Sequence, residues 1–302
     1  MTEQPDLTCY RIAVVQMDTV PTQIDANREH AVELARVAID RGARLIVFPE
    51  LCDVDEIEGA FEYATTVPGT FTAPFERLAA DHDVHFIVGM ARRVGDDLYN
   101  SAVFIGPQGI LGAYDKVHPW SGHWDEEADD WAEDPRRIEP YNYLPGDGFR
   151  VFSIDGISVG AMICYDGQFP ESWICNRLLG ADVVVWPTNR GSYRDMDVPA
   201  LSRFFQLIVV AANRFGQSSY WTQGDSMVID IEGNLLAHAY NGECVLLADL
   251  DIEAARRRRR GLPFMRDRRP ELYGRILQPA PSEEMAPGIQ SCQVARRLPK
   301  GA

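Results

Sequence analysis

The chain has 302 residues, 46% of them hydrophobic, which is enough apolar material for one sizeable core or two small ones. Its 29 Lys and Arg stand against 45 Asp and Glu, and the formal charge of −16 repels nucleic acid and anionic membranes, so small neutral ligands are the easier fit. No apolar stretch is long enough to cross a bilayer and no charged-then-apolar leader opens the sequence, so a cytoplasmic protein is expected.

In chain order, residues 11–16 read as a short apolar strand and 27–41 as a helix with apolar residues at helical spacing, ended by Gly42. Residues 45–48 form the next strand, and strand, helix, strand in that order predicts a right-handed crossover. A helix at 73–82 precedes strands at 86–94, 99–105 and 110–114, the last two joined by a Gly-Pro-Gln-Gly turn. The second half repeats the theme with a strand at 158–164, a helix at 170–179 closed by Gly180, a strand at 182–186, a helix at 200–205 and a strand at 207–212. A hairpin at 227–231 and 235–239 and a late strand at 244–250 follow. Crossovers and hairpins in both halves predict two mixed sheets, each with an outer helical layer. No linker rich in Gly, Ser or Pro divides them, so residues 1–277 are expected to form one domain. Residues 278–302 are then a Pro-rich C-terminal tail without its own core, disordered or lying on a partner subunit.

Three features take ordinary explanations first. The six cysteines, at 9, 52, 164, 175, 244 and 292, are dispersed with no C-x-x-C pair, which argues for reduced thiols, most of them small buried hydrophobes. The acidic run at 125–134 is expected to be a solvated loop, with a lid over the pocket as the minority reading. The five arginines at 256–260 look like a nucleic-acid patch in isolation, but the acidic surroundings favour a helix surface or a subunit contact.

One thiol has a distinctive setting. Cys164 ends an apolar strand, and Pro170 suits the first turn of the helix that follows, so the sulfur is expected at a strand-to-helix turn where a nearby helix N-terminus favours thiolate. The backbone N–H of Tyr165 there is placed to face an oxyanion. A nucleophilic cysteine needs a base and a charge stabiliser. Glu50, at the end of the strand in LIVFPEL, and Lys116, at the end of the strand in AYDKVHPW, are the candidates.

In that order, FPEL around Glu50, DKVHPW around Lys116 and ICYDGQFPE around Cys164 resemble the Glu, Lys, Cys signature of the nitrilase superfamily of carbon-nitrogen hydrolases. The likeness extends over nearly the whole chain, including AANR at 211–214 and DRRPELY at 267–273. It implies an α/β fold, a four-layer αββα sandwich of two mixed β-sheets with outer helices. It implies too a catalytic apparatus without metal or other cofactor, and a homodimer or higher homo-oligomer assembled through the outer helices. The family uses a second glutamate between the lysine and the cysteine. Glu126, Glu127, Glu133 and Glu139 compete for that role; Glu139 is chosen because IEPYNYLPGDGF resembles the family's segment, with Glu126 as the fallback.

Within the superfamily, CYDGQFPESW is similar to the aliphatic-amidase pattern, and Trp120 stands where such enzymes have a pocket tryptophan. Gly167 and Gln168 occupy the place of the arginine pair that clamps the substrate carboxylate in N-carbamoyl-D-amino acid hydrolases. The expected substrate is therefore a small neutral amide, cleaved through a cysteine thioester by Glu50, Lys116, Glu139 and Cys164, with Trp120, Tyr165 and Asn189 lining the pocket. Trp186 and Thr188 are further lining candidates, with core packing an equal explanation of Trp186. Phe204 and Phe205 replace a Glu-Asn pair typical of the family and are expected to enlarge an apolar wall.

The alternatives within the superfamily are a ureido-compound hydrolase, a nitrilase or an ammonia-supplying glutaminase. Outside it stand a metal site built on His118, His123, Asp125 and Glu126, a papain-like pairing of Cys164 with His118 or His123, and a ligand-binding protein that retains the family shell.

Overall fold

In the computed structural model the described residues are 5–54, 60–121, 124–125, 130–131, 139–190, 196–216 and 224–278. The apolar runs expected to be strands build two six-stranded mixed sheets. The first contains β1 (Tyr10–Gln16), β2 (Leu45–Val47), β3 (His85–Val94), β4 (Asp97–Gly106), β5 (Gly109–Asp115) and β14 (Cys244–Leu250), in the order β14-β1-β2-β3-β4-β5. The second contains β8 (Val151–Ile154), β9 (Ile157–Ala161), β10 (Val183–Thr188), β11 (Ile208–Asn213), β12 (Ser226–Ile229) and β13 (Leu235–Ala239), in the order β13-β12-β11-β10-β9-β8. A two-residue pair, β6 (Trp124–Asp125) with β7 (Asp130–Trp131), lies within the acidic run.

In each sheet the three central strands are parallel and the outer pairings antiparallel: β1-β2-β3 in the first, β9-β10-β11 in the second. Parallel strands covered on both faces read as unbroken apolar runs, and every residue of β2, β10 and β11 is buried. The crossovers are α1 (Ile24–Asp40) and α3 (Ala73–His82) on the first sheet, and α5 (Pro170–Leu178) and α6 (Val198–Phe205) on the second. Two single-turn helices, α2 (Ala60–Tyr63) and α4 (Glu139–Asn142), and a later helix, α7 (Ile252–Gly261), complete the elements.

Three apolar clusters account for the layering. Ile12, Val14, Val47, Ile87 and Phe104 of the first sheet meet Val159, Val185, Val210 and Val228 of the second in the central core. The opposite face of the first sheet packs Ala31, Ala35 and Ala38 of α1 and Phe75 and Leu78 of α3. The opposite face of the second packs Trp173 of α5 and Val198 of α6. The result is the expected four-layer αββα sandwich. Among the described residues no helix is long and apolar enough to cross a membrane.

Some details depart from the sequence reading. β8 was not among the predicted strands; it pairs with β9 across Asp155 and Gly156, both at positive φ, a two-residue hairpin turn of the type Asp-Gly favours. The strand expected to run to Cys164 stops at Ala161, because Cys164–Gln168 coils into a 3-10 turn. The tail beyond Gln278 lies outside the described residues, as does most of the acidic run.

The arginine run forms half of α7, and acids of the same chain pair with Arg256, Arg258 and Arg259. Arg256 Nη2 lies 2.6 Å from Asp182 Oδ2, Arg259 pairs with Asp182 Oδ1 and donates to the Ala181 carbonyl at 2.8 Å, and Arg258 pairs with Glu232. Burial alone would raise the Asp182 carboxyl, but the hydrogen bond from Arg256 and the charge of Arg259 hold it below the usual carboxylate range. Removing Asp182 strands a largely buried guanidinium, so Asp182→Ala should lower unfolding free energy by about 2–3 kcal/mol in urea titrations. A change under about 0.5 kcal/mol would mean that water, not Asp182, satisfies Arg259.

Candidate active site

Four segments deliver the candidate side chains to one place, and glycines let two of them approach. Glu50 follows β2 through Phe48 and Pro49, and that loop lies flat on β3 because residue 89 is glycine: a Cβ there would sit 2.1 Å from the Pro49 carbonyl oxygen and 2.7 Å from the Glu50 Cα. Lys116 comes directly after β5, its N–H donating to the Asn100 carbonyl of β4 at 2.9 Å. Its carbonyl accepts from Gly146 at 2.8 Å, where a Cβ would lie 2.2 Å from the Asp115 oxygen. Glu139 opens α4 and is held by the Trp120 backbone in both directions, N–H to carbonyl at 3.0 Å and carboxylate Oε2 from the Trp120 N–H at 2.5 Å.

These side chains form a closed, dry cluster. The Lys116 ammonium lies 2.8 Å from Glu50 Oε1 and 2.7 Å from Glu139 Oε2, and all three residues are only 2–3% exposed. Asn100 Nδ2 donates to Glu50 Oε1 and to Glu139 Oε1, each at 2.7 Å. The cluster therefore holds two carboxylates and one ammonium. Burial raises the Glu50 carboxyl, the Lys116 charge opposes that shift, and Glu139 adds to it. Burial would depress Lys116, but the charges of Glu139 and Glu50 outweigh it and the ammonium is held well above its usual range.

Cys164 begins the 3-10 turn with φ of +41°, a left-handed conformation costly for a residue with a Cβ. Its carbonyl accepts the Trp186 indole N–H at 2.9 Å. Gly167 lets that indole in, since a Cβ there would sit 2.0 Å from Trp186 Cζ2. The thiol is pushed up to about 12, first by burial and then by the charge of Glu50, with Lys116 and Arg190 opposing. This corrects the expectation of a stabilised thiolate. Helix α5 starts at Pro170, beyond the turn, and burial together with the charge of Glu50 raises the thiol instead.

The remaining candidates separate. Trp120 and Tyr165 are half-buried, the Tyr165 ring meeting Phe169 edge-on with centroids 5.1 Å apart. Asn189 is half-buried just beyond β10. Trp186 is a fully buried core residue packed on Trp173, and Thr188 is buried with its hydroxyl on Asn213, so neither supplies an open wall. Phe204 points outward at 72% exposure and Phe205 stacks on Trp173, which overturns the idea that this pair widens the pocket. Glu126, Glu127, Glu133 and His123 lie outside the described residues. His118 faces Asp166, with Nδ1 2.8 Å from Oδ1, and stacks on Phe169.

Three participants escaped the sequence reading: Asn100, Asp166 and Arg190. Asn100 left one signal, a buried polar residue inside the apolar run LYNSAVF of β4. Asp166 was visible only as part of the cysteine motif, and Arg190 stood unremarked beside Asn189.

Comparison with known proteins identifies the family. The carbon-nitrogen hydrolase family model matches residues 11–260. The chain is 34% identical over 278 residues to a nitrilase of Pyrococcus abyssi, covering 88% of this chain and 99% of that one. It is 28% identical over 277 residues to an omega-amidase of Xenopus tropicalis, covering 87% and 96%. A carbon-nitrogen hydrolase from Helicobacter pylori G27 shares the fold with a TM-score of 0.75 at 23% identity, covering 91% of this chain and all of that one. With two mixed sheets, outer helices and a family match over residues 11–260, the chain belongs to the carbon-nitrogen hydrolase family.

Proposed function

We propose that the protein hydrolyses the carbon-nitrogen bond of a small neutral amide through a thioester on Cys164. The observation that carries this reading is the Lys116 ammonium, buried between the Glu50 and Glu139 carboxylates at 2.8 and 2.7 Å and within electrostatic reach of the Cys164 sulfur. Glu50 takes the thiol proton as sulfur attacks the amide carbon, and Lys116 with the Tyr165 N–H receives the oxyanion. The tetrahedral adduct collapses, Glu50 returns its proton to the leaving nitrogen, and ammonia or an amine departs. Glu50 then takes a proton from water, whose oxygen attacks the thioester carbon; the carbon–sulfur bond breaks, Glu50 returns its proton to the departing sulfur, and carboxylic acid and free thiol result. A raised Glu50 narrows the gap to a thiol at about 12, so transfer within the attack step costs less than prior ionisation would. Glu139 holds the ammonium in place, while Trp120, Tyr165 and Asn189 line the substrate pocket.

Gly167 supports a neutral substrate, because Trp186 fills the space that an arginine at that position would require. A second reading, an amide carrying an acidic group, is favoured by Arg190, whose charge acts on the Cys164 sulfur. We also propose that the outer helices α5 and α6 meet a second copy, since Leu178, Leu179 and Phe204 are 52%, 52% and 72% exposed there.

Glu50→Gln should lower turnover by about 10³-fold with formation of the Cys164 adduct slowed as well, and intact-protein mass spectrometry of the parent during turnover of amides, acidic amides, ureides and nitriles should show which of them acylate Cys164. Substantial residual turnover would point to a histidine base instead, and acylation by nitriles alone would reverse the order of substrates. The base works as a carboxylate and its pKa is raised, so kcat/KM should fall on acidification at a pH above the ordinary glutamate range. Asn100 donates to that carboxylate and lowers its pKa, so Asn100→Ala should move the acidic limb to higher pH. An unmoved limb would separate Glu50 from the titration that controls the rate.

A further inference from the structure

The two sheets that supply the site share no backbone ladder: Lys116 follows β5 at the edge of the first sheet, and Cys164 follows β9 in the second. Apolar packing between sheets is non-directional and tolerates small slips, yet the chemistry needs sulfur and ammonium in fixed relation. At the site, a buried polar group bridges that gap. The Asp166 carboxylate is fully buried, and its Oδ2 accepts from the Tyr114 hydroxyl at 2.8 Å and from the Ile163 N–H at 2.9 Å. Its Oδ1 accepts from the His118 N–H at 2.9 Å and from His118 Nδ1 at 2.8 Å. Four donors fill the carboxylate's accepting capacity.

The origin of those donors is the informative point. Tyr114 and His118 stand two residues before and two residues after Lys116, and Ile163 immediately precedes Cys164. Asp166 also closes the nucleophile turn on itself, its N–H donating to the Ile163 carbonyl at 2.9 Å, while Phe169 donates to the Asp166 carbonyl at 3.2 Å and stacks on the His118 ring at 3.9 Å.

We propose that Asp166 is a positioning residue for the reaction: one carboxylate that ties the segment carrying Lys116 to the turn carrying Cys164, and so sets the distance from oxyanion donor to nucleophile across the sheet interface. It touches neither substrate nor sulfur in this role, and acts through the two groups it spaces. The role rests on the proposed thioester chemistry. Tyr114→Phe keeps the aromatic packing and deletes one donor, whereas Asp166→Asn replaces one accepting oxygen by N–H2 and leaves two of the four donors facing a donor.

The test is the single-turnover rate at which a reactive amide acylates Cys164, followed by mass spectrometry and normalised to the folded fraction from circular dichroism, with steady-state kcat and KM alongside. Asp166→Asn should slow acylation by about 10²-fold and Tyr114→Phe by about threefold to tenfold, KM changing by less than about twofold in each, because displacement of reacting groups by an ångström costs rate more than binding. If the asparagine variant fails to fold, the phenylalanine variant carries the test. Lower melting temperatures with acylation per folded molecule equal to the parent would overturn the positioning role and leave the amidase reading standing. A parent protein that forms no adduct on Cys164 would overturn both.

Discussion

Everything in the site depends on one buried cation. Lys116 sits almost without solvent between two carboxylates, an arrangement in which each charge is tolerable only because the others are there. The ammonium opposes the upward shift that burial imposes on Glu50, and the acids in turn hold the ammonium charged. Burial first, and then the charge of Glu50, raises the Cys164 thiol. A thiol that stays protonated in the resting enzyme is protected from stray electrophiles, and its proton leaves only when a base and an electrophilic carbon are both in place.

The fold supports this cluster from several directions. Gly89 and Gly146 remove the side chains that would keep the Glu50 and Lys116 segments from the sheet. Asn100, on the central part of β4, holds the lysine's N–H through its carbonyl and both carboxylates through its amide, so one residue fixes three others. On the other sheet, Trp186 clamps the Cys164 carbonyl from the core side, and the strained φ of Cys164 persists because the surrounding contacts over-determine it. Asp166 then connects the halves.

The strands were legible because their signal is local. Buried parallel strands are continuous runs of valine, isoleucine and alanine, and the helices between them carry apolar residues at a period the backbone imposes. Catalytic candidates were legible for a related reason: Glu50, Lys116 and Cys164 each follow such a run, and strand ends are where an α/β fold exposes chemistry. β8 escaped because four residues of mixed burial leave too weak a pattern, and its Asp-Gly turn is what betrays it.

The sequence alone thus determined which segments become strands and which polar residues sit at their ends, since both follow from neighbours a few positions apart. Protonation states and spacings were decided only in the tertiary structure. The expected thiolate became a thiol because desolvation and the field of Glu50 arise from residues more than a hundred positions away. Asn100, Asp166 and Arg190 acquired their meaning the same way: an amide, a carboxylate and a guanidinium are ordinary in a list of residues, and only the folded chain puts the first between two acids, the second among four donors and the charge of the third within reach of a sulfur.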